Sequence, residues 1–380
     1  MMISELVRQR LVNQHIARTS LAKPEDVVQW LGAVQAQDYA AAKWALGLRL
    51  PDATDDVIEQ AFTAGTLLRT HLMRPTWHFV LPADIRWLLA LTAPRVNAAN
   101  AYWYRKLELD EVIFKQSNAV LIKALQGGRQ LTRPELVSVL QQAGIATDAV
   151  QRFTAIMMRA ELAGIVCSGA RRGKQFTYAL LDERVPATKP LRHAEALAEL
   201  VLRYFTGHGP ATVQDFVWWS GLTVADARAG LSMVSSQLIH ETVDGQTYWL
   251  ATPTASIVSP EANSMAAYLL PNYDEYIVGY TDRSAIFDAA DTEKLDSRGN
   301  VLFNNTLIID GRVVGIWRRT LKKDRIDIVL SLFASLNDAE MHAYTTAAQR
   351  YAAFFGLPVN TKFQMHHGQQ SRVPFFRPNG

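Results

Sequence analysis

A single cysteine, Cys167, stands in 380 residues. It excludes an internal disulfide and any cysteine-built zinc or iron–sulfur centre, and it reads as a small buried hydrophobe in a reducing cytoplasm. No run of about 18 apolar residues occurs, so no membrane span is expected. Met1 to Gln14 is a polar helical pattern carrying Glu5, Arg8 and Arg10, not the apolar stretch of a secretory leader. Glycine (21) and proline (15) are near average, which rules out collagen, and 49% hydrophobic residues rule out wholesale disorder. Also missing are a glycine-rich phosphate loop, a serine nucleophile elbow and a paired-histidine metal helix. His366 and His367 are adjacent rather than spaced to share one ion on a helix face, so they read as polar strand residues. Neither a metal nor an organic cofactor is expected. What is left is an ordinary globular chain long enough for roughly two to four domains.

The net charge of +3 is too small to announce a nucleic-acid partner, but the charge is unevenly spread. Lys+Arg against Asp+Glu is 12 to 12 over residues 1–114, 11 to 5 over 115–189, 3 to 6 over 190–254 and 13 to 13 over 255–380. The second stretch holds Arg152, Arg159, Arg171, Arg172 and Lys174. One basic module in a near-neutral protein suits phosphate; scattered charges on a solvated face explain it equally well.

The chain also repeats a unit. Leu67–Leu81, Gly164–Leu181 and Leu238–Ala251 each alternate apolar and polar residues around a turn, at Arg74-Pro75, Arg171-Arg172-Gly173 and Asp244-Gly245. Asp-Gly between alternating runs is a strong hairpin signal. Helical patterns precede each hairpin: 118–128, a helix opened by Thr132, Pro134 and Glu135, and about 148–162; then 193–206, 212–219 and 223–237, with Thr212 and Thr223 as caps; and, more loosely, 3–16, 23–36 and 54–66. Helix, helix, helix, hairpin is the order of a winged helix. The fold expected is α+β: three tandem winged helices at 1–114 (with the linker at its end), 115–189 and 190–254, then a β-rich domain at 255–380. In that last domain 268–277, 301–309, 312–317 and 324–332 read as strands, Asp310-Gly311 as a hairpin turn, 338–355 as a helix capped by Asp338, and 363–376 again as strand-like.

The odd segment is Val34-Gln35-Ala36-Gln37-Asp38-Tyr39, after an apolar helical run. Glutamines two apart do not share a face of a helix, but they do share a side of an extended stretch. They converge only if the helix ends near Ala33 or Val34. An amide is no strong base. It can hold a water through its carbonyl, which suffices where the leaving group departs almost unaided. Taken bare, a polar helix terminus explains the segment better.

The sequence resembles the AlkZ/YcaQ-like winged-helix DNA glycosylases over essentially its whole length. The best marks are Gln35-Ala36-Gln37 within "LGAVQAQDYAAAKWALGLRL", "RTHLMRPTWHFVLPADIRWLL" at 69–89, and "YLLPNYDEYIVGYTDR" at 268–283. The first matches the glutamine–apolar–glutamine motif of the AlkZ-like branch; the YcaQ-like branch ends that motif in aspartate. The resemblance implies three winged helices and a C-terminal β domain forming a concave DNA-binding body. It implies hydrolytic removal of N7-alkylated, bulky or crosslinked, purines from double-stranded DNA. Gln35 and Gln37 would hold the water or stabilise the sugar cation, with no general acid. Asp38 ranks lower, because its side chain alternates away from both.

Further residues carry two readings each. His71 and His78 flank the first hairpin turn and either face the motif or the DNA or pack against Trp77 and Trp87. Asp274 and Glu275 position a hairpin or pair with Arg283. Trp218 and Trp219, after Asp215, stack on a base or read as one buried and one partly exposed ring. Arg171, Arg172 and Lys174 at a wing tip, with Arg159 and Arg74, are the candidate DNA contacts. The backbone is expected to be held electrostatically beside an open cleft, by a monomer associated with the nucleoid. A non-catalytic winged-helix regulator is the competing reading, although three modules in one chain do not make the two-fold of a repressor. A protein-interaction scaffold is a third, and fold alone does not separate them.

Overall fold

The computed structural model describes residues 2–147, 150–252, 265–295 and 299–365. The first repeat runs α1 (Ile3–Asn13), α2 (Pro24–Leu31), β1 (Val34–Gln35), α3 (Tyr39–Gly47), α4 (Asp55–Ala64), β2 (Leu68–Leu72) and β3 (Thr76–Val80). The long helix α5 (Ile85–Lys106) leads to the second: α6 (Glu111–Leu125), β4 (Leu131–Thr132), α7 (Arg133–Gln142), α8 (Val150–Leu162), β5 (Val166–Ser168) and β6 (Thr177–Leu180). After the short α9 (Leu181–Arg184) comes the third: α10 (His193–Gly207), α11 (Val213–Ser220), α12 (Val224–Val234), β7 (Leu238–Val243) and β8 (Gln246–Ala251). The first two repeats close into antiparallel three-stranded sheets, β1-β3-β2 and β4-β6-β5. In the third, Ala211 bridges Trp249 where the others have their short strand. The Asp244-Gly245 turn has φ of 49° and 78°, as a two-residue hairpin requires.

Three helices begin at caps that the sequence marks. Thr132 and Glu135 bond reciprocally at α7, as do Thr212 with Asp215 at α11 and Thr223 with Asp226 at α12. Other elements differ from the pattern. The helix expected over 23–36 stops at Leu31, because Gly32 takes φ 80° and Val34–Gln35 pair as a strand. Helix α3 escapes periodicity because almost every side chain in it is buried, so no polar face alternates with an apolar one. Segment 85–106, for which the repeat pattern names no element, is a 22-residue helix with Pro94 inside it. The helix expected over about 148–162 is described from Val150.

The C-terminal region is a five-stranded sheet, ordered β13-β12-β11-β10-β9, from β9 (Ala267–Leu270), β10 (Asn305–Ile309), β11 (Arg312–Leu321), β12 (Ile326–Leu332) and β13 (Val359–Met365). Helix α14 (Asp338–Phe354) buries Tyr344, Ala348 and Tyr351 in the same core as the sheet. Its cap is Asn337, whose side chain accepts from the Glu340 N–H, rather than Asp338. Strand β9 ends at Leu270. Tyr273 takes φ 61°, and 275–278 form a helical turn, α13 (Glu275–Val278), where a strand was expected. Residues 301–303 form a 3-10 turn before β10. His366 and His367 lie outside the described residues.

The buried apolar side chains form two clusters. One joins α5, the second repeat and the third, through residues such as Leu121, Phe153, Leu200 and Phe216. The other joins the first repeat to the C-terminal sheet, through Val28, Trp44, Phe62, Leu269, Ile308 and Tyr351. The seam between them runs through the first small sheet: Ala33, Leu68 and Val80 belong to one, Val34, Ala36 and Phe79 to the other.

Candidate active site

Strand β1 is the edge of its sheet, so one side of its backbone has no strand to pair with. On the inner side Ala36 N–H donates to the Trp77 carbonyl at 2.7 Å. On the outer side Gln35 N–H donates to Glu275 Oε1 at 2.8 Å. From the opposite direction the Arg69 guanidinium donates to the Ala36 carbonyl at 2.9 Å and to the Gln37 carbonyl at 3.4 Å. An acid from the C-terminal region and a base from β2 thus clamp the motif's backbone. Arg69 lies 4.2 Å from the Trp77 ring centre and 4.9 Å from that of Phe176, and burial lowers its pKa to about 10.

Both amides turn to the β2–β3 hairpin. Gln35 Oε1 accepts from Arg74 Nη2 at 3.0 Å, and Gln37 Oε1 accepts from the Trp77 N–H at 3.3 Å. Because both partners can only donate, each carbonyl oxygen is fixed in place and keeps a second lone pair. The two glutamines are not equal. Gln35 is 5% exposed, whereas Gln37 is open to solvent. Across the sheet from Gln35 stands His78, fully buried. Its Nδ1 faces the Thr76 carbonyl at 3.0 Å and therefore carries the proton, which leaves the Nε2 lone pair without a partner among the described residues. Burial, then the Arg74 charge, push its pKa down to about 4, so the imidazole is neutral at physiological pH.

Glu275 is the hub behind the motif. It is fully buried, and its Oε2 accepts from Trp219 Nε1 at 2.9 Å and meets His208 Nε2 at 3.1 Å. Burial works against the carboxylate's charge. The His208 contact and the Gln35 N–H outweigh it and hold the carboxyl below its ordinary range. Neither Asp274 nor Glu275 pairs with Arg283, one of the two arrangements the sequence allows: Asp274 grips Arg49 through both oxygens, at 2.8 and 2.9 Å. Beside Asp38 lies a cavity of about 70 Å³, lined among others by Trp44, Asn305 and Arg319.

A family model described as DNA glycosylase AlkZ-like matches residues 28–354. The chain belongs to the AlkZ-like DNA glycosylase family. An interstrand DNA cross-link repair glycosylase of Streptomyces sahachiroi is 24% identical over 322 residues, covering 81% of this chain and 85% of that relative. The solved structure of Streptomyces sahachiroi DNA glycosylase AlkZ superposes with a TM-score of 0.75 at 21% identity, over 95% of this chain and 100% of that one, and so shares the fold. The chain is accordingly a DNA glycosylase, a hydrolase of N-glycosyl bonds, and the regulator has no support. No described helix is long and apolar enough to cross a membrane.

Within this family member the remaining candidates are dispersed. Asp38 caps α3, accepting from the Ala41 N–H at 3.1 Å. His71 meets Glu161 of α8 through Nδ1, with its ring 4.4 Å from that of Trp77. Arg171 is not at a free wing tip: its guanidinium lies 4.6 Å from the Phe176 ring centre, 5.2 Å from that of Tyr39 and 3.8 Å from Glu59. Arg159 pairs with Glu111 and Arg172 with Glu135, both at 2.8 Å. Lys174 is exposed and has no carboxylate partner among the described residues. Trp219 is buried and Trp218 is 38% exposed. Sequence reading missed Arg69, His208 and the contact of Glu275 with the motif. The only signal was charge within apolar segments.

Proposed function

We propose that this glycosylase hydrolyses the N-glycosidic bond of N7-alkylated purines in double-stranded DNA, bulky or crosslinked ones included. The observation that carries the reading is the pair of fixed amides on a clamped edge strand, Gln37 open and Gln35 just beneath it. Alkylation at N7 makes the purine cationic. The C1′–N9 bond then breaks with its electron pair going to the base, which leaves neutral, and positive charge develops on the sugar. A water that donates its hydrogens to the spare lone pairs of the two Oε1 atoms presents its own lone pair to C1′. Its proton passes to solvent, so no strong base is required. A neutral His78 adds no repulsion to the developing cation. Lys43, the lysine nearest the motif in sequence, is engaged by Asp55 at 2.7 Å and Glu59 at 2.9 Å, which favours water over an amine as nucleophile.

Asp38 and His71 serve the scaffold in this reading, and His78 is the immediate neighbour of the chemistry. Arg74, Arg159, Arg171, Arg172 and Lys174 contact DNA, with Lys174 and Arg172 the most accessible. The enzyme works as a cytoplasmic monomer divided near residues 114, 189 and 254. The name of the Streptomyces relative supports crosslinked substrates. The test is incubation with duplex carrying N7-methylguanine, then hot alkali. Strand breaks with the unaltered enzyme and few with Gln37→Ala are expected; equal breakage by both overturns the role of the motif.

A further inference from the structure

Arg74 and Arg283 approach one indole. The guanidinium carbon of Arg74 lies 5.3 Å from the centre of the Trp218 ring and that of Arg283 lies 5.5 Å from it. Trp218 is anchored through Nε1 to the Val278 carbonyl at 3.0 Å. Both cations are half-buried, and among the described residues neither has a carboxylate in ion-pair contact. Arg74 donates to the Trp218 carbonyl at 3.2 Å and to Gln35 Oε1 at 3.0 Å. Arg283 donates to the carbonyls of Ile277 at 2.9 Å and Thr281 at 3.2 Å, and its Nη2 finds no acceptor among the described residues. Asp215 and Asp282 act on Arg283 only through space, against the repulsion of Arg74. Other arginines at domain contacts show both arrangements: Arg49 has Asp274 and Arg203 has Asp84, whereas Arg184 and Arg350 donate to backbone carbonyls.

We infer that Arg74, Trp218 and Arg283 form a seat for DNA backbone phosphate beside the reacting sugar. Two desolvated like charges are costly unless an anion completes them. They also stand next to Gln35, where a glycosylase builds positive charge, and Glu275 offsets Arg74 only through space. A phosphodiester in the seat completes that offset and, through the Arg74 bond, sets the Gln35 amide. The positively charged rim makes the exposed face of Trp218 a poor place for a cationic purine and a good one for the backbone. The seat rests on the proposed reading for its place in catalysis, but phosphate binding is tested without any lesion.

Affinity for undamaged duplex is measured by fluorescence anisotropy across a salt series. Arg283→Gln is expected to weaken binding and to lower the slope of log K against log salt by about one; Arg283→Lys restores the slope. Single phosphates of the same duplex are then replaced by neutral methylphosphonate. One position is expected to weaken the unaltered enzyme and to have no further effect on Arg283→Gln. An unchanged slope in Arg283→Gln, or methylphosphonate losses that are the same in both proteins at every position, overturns the seat. Failure of the unaltered enzyme to excise N7-methylguanine, with the Arg283 effect on phosphate binding as expected, counts against the N7-purine reading instead.

Discussion

The first and second small sheets share an order of strands and differ in how the chain leaves the short one. In the second repeat Thr132 is both the last residue of β4 and the cap of α7. In the third, Thr212 caps α11 directly after the bridging Ala211. In the first, β1 ends at Gln35 and the cap is Asp38, so Ala36 and Gln37 are extra length. That added length carries the open amide. On the proposed reading, a scaffold used three times becomes a reactive centre once, where the chain between strand and helix is long enough to expose a side chain and where Glu275 arrives from outside the repeat to hold it.

The sharpest way to break this comparison is Gln37→Ala. It removes only what the other two repeats lack, and single-turnover excision should fall by about two to three orders of magnitude while melting is unchanged. Next comes a matched pair of stability measurements by urea unfolding. Glu275→Ala leaves buried donors from three elements unpaired and should cost about 3 kcal/mol. Thr132→Ala, in the sheet without such a hub, should cost about 1 kcal/mol, the value of a lost cap. Equal losses would remove the distinction between the two sheets. A third difference is pH. His78 has its folded pKa lowered to about 4 from the usual 6.5, so the unfolded chain takes up a proton first as pH falls. Stability present above pH 6.5 is lost on the way down to 4. Between pH 7.5 and 5 the loss from this group should be about 2 kcal/mol, and His78→Phe should lose correspondingly less. The smallest effect is expected in the second repeat. Lys174→Gln should lower the salt slope of DNA binding by about one, and Arg159→Gln, with Glu111 already on its guanidinium, by less.

How much of each feature the sequence reveals depends on how locally that feature is determined. The capped helices α7, α11 and α12 and the Asp-Gly hairpins are readable because a few adjacent residues decide them. Helix α3 is not, since burial on all sides erases the period that marks a helix. The end of strand β9 is hidden because Tyr273, not a glycine, takes the left-handed turn. The extended glutamine motif is recognisable as a condition: it needs the helix to stop before Gln35, and Gly32 stops it. The residues that hold it are not, because Glu275 lies 240 positions away and reaches the motif only through the tertiary fold. Charge counting also misleads: the excess of arginine in the second repeat is partly matched by Glu59, Glu111 and Glu135 once the chain folds.

The seam between the two cores has a consequence for assembly. The motif strand touches both clusters, and its anchoring carboxylate belongs to the last third of the chain. A polypeptide truncated after the third repeat would carry both glutamines but lack Glu275, and no excision activity is expected of it in a single-turnover assay. On the proposed reading, the motif is complete only once the segment that carries Glu275 has been made and has folded onto it.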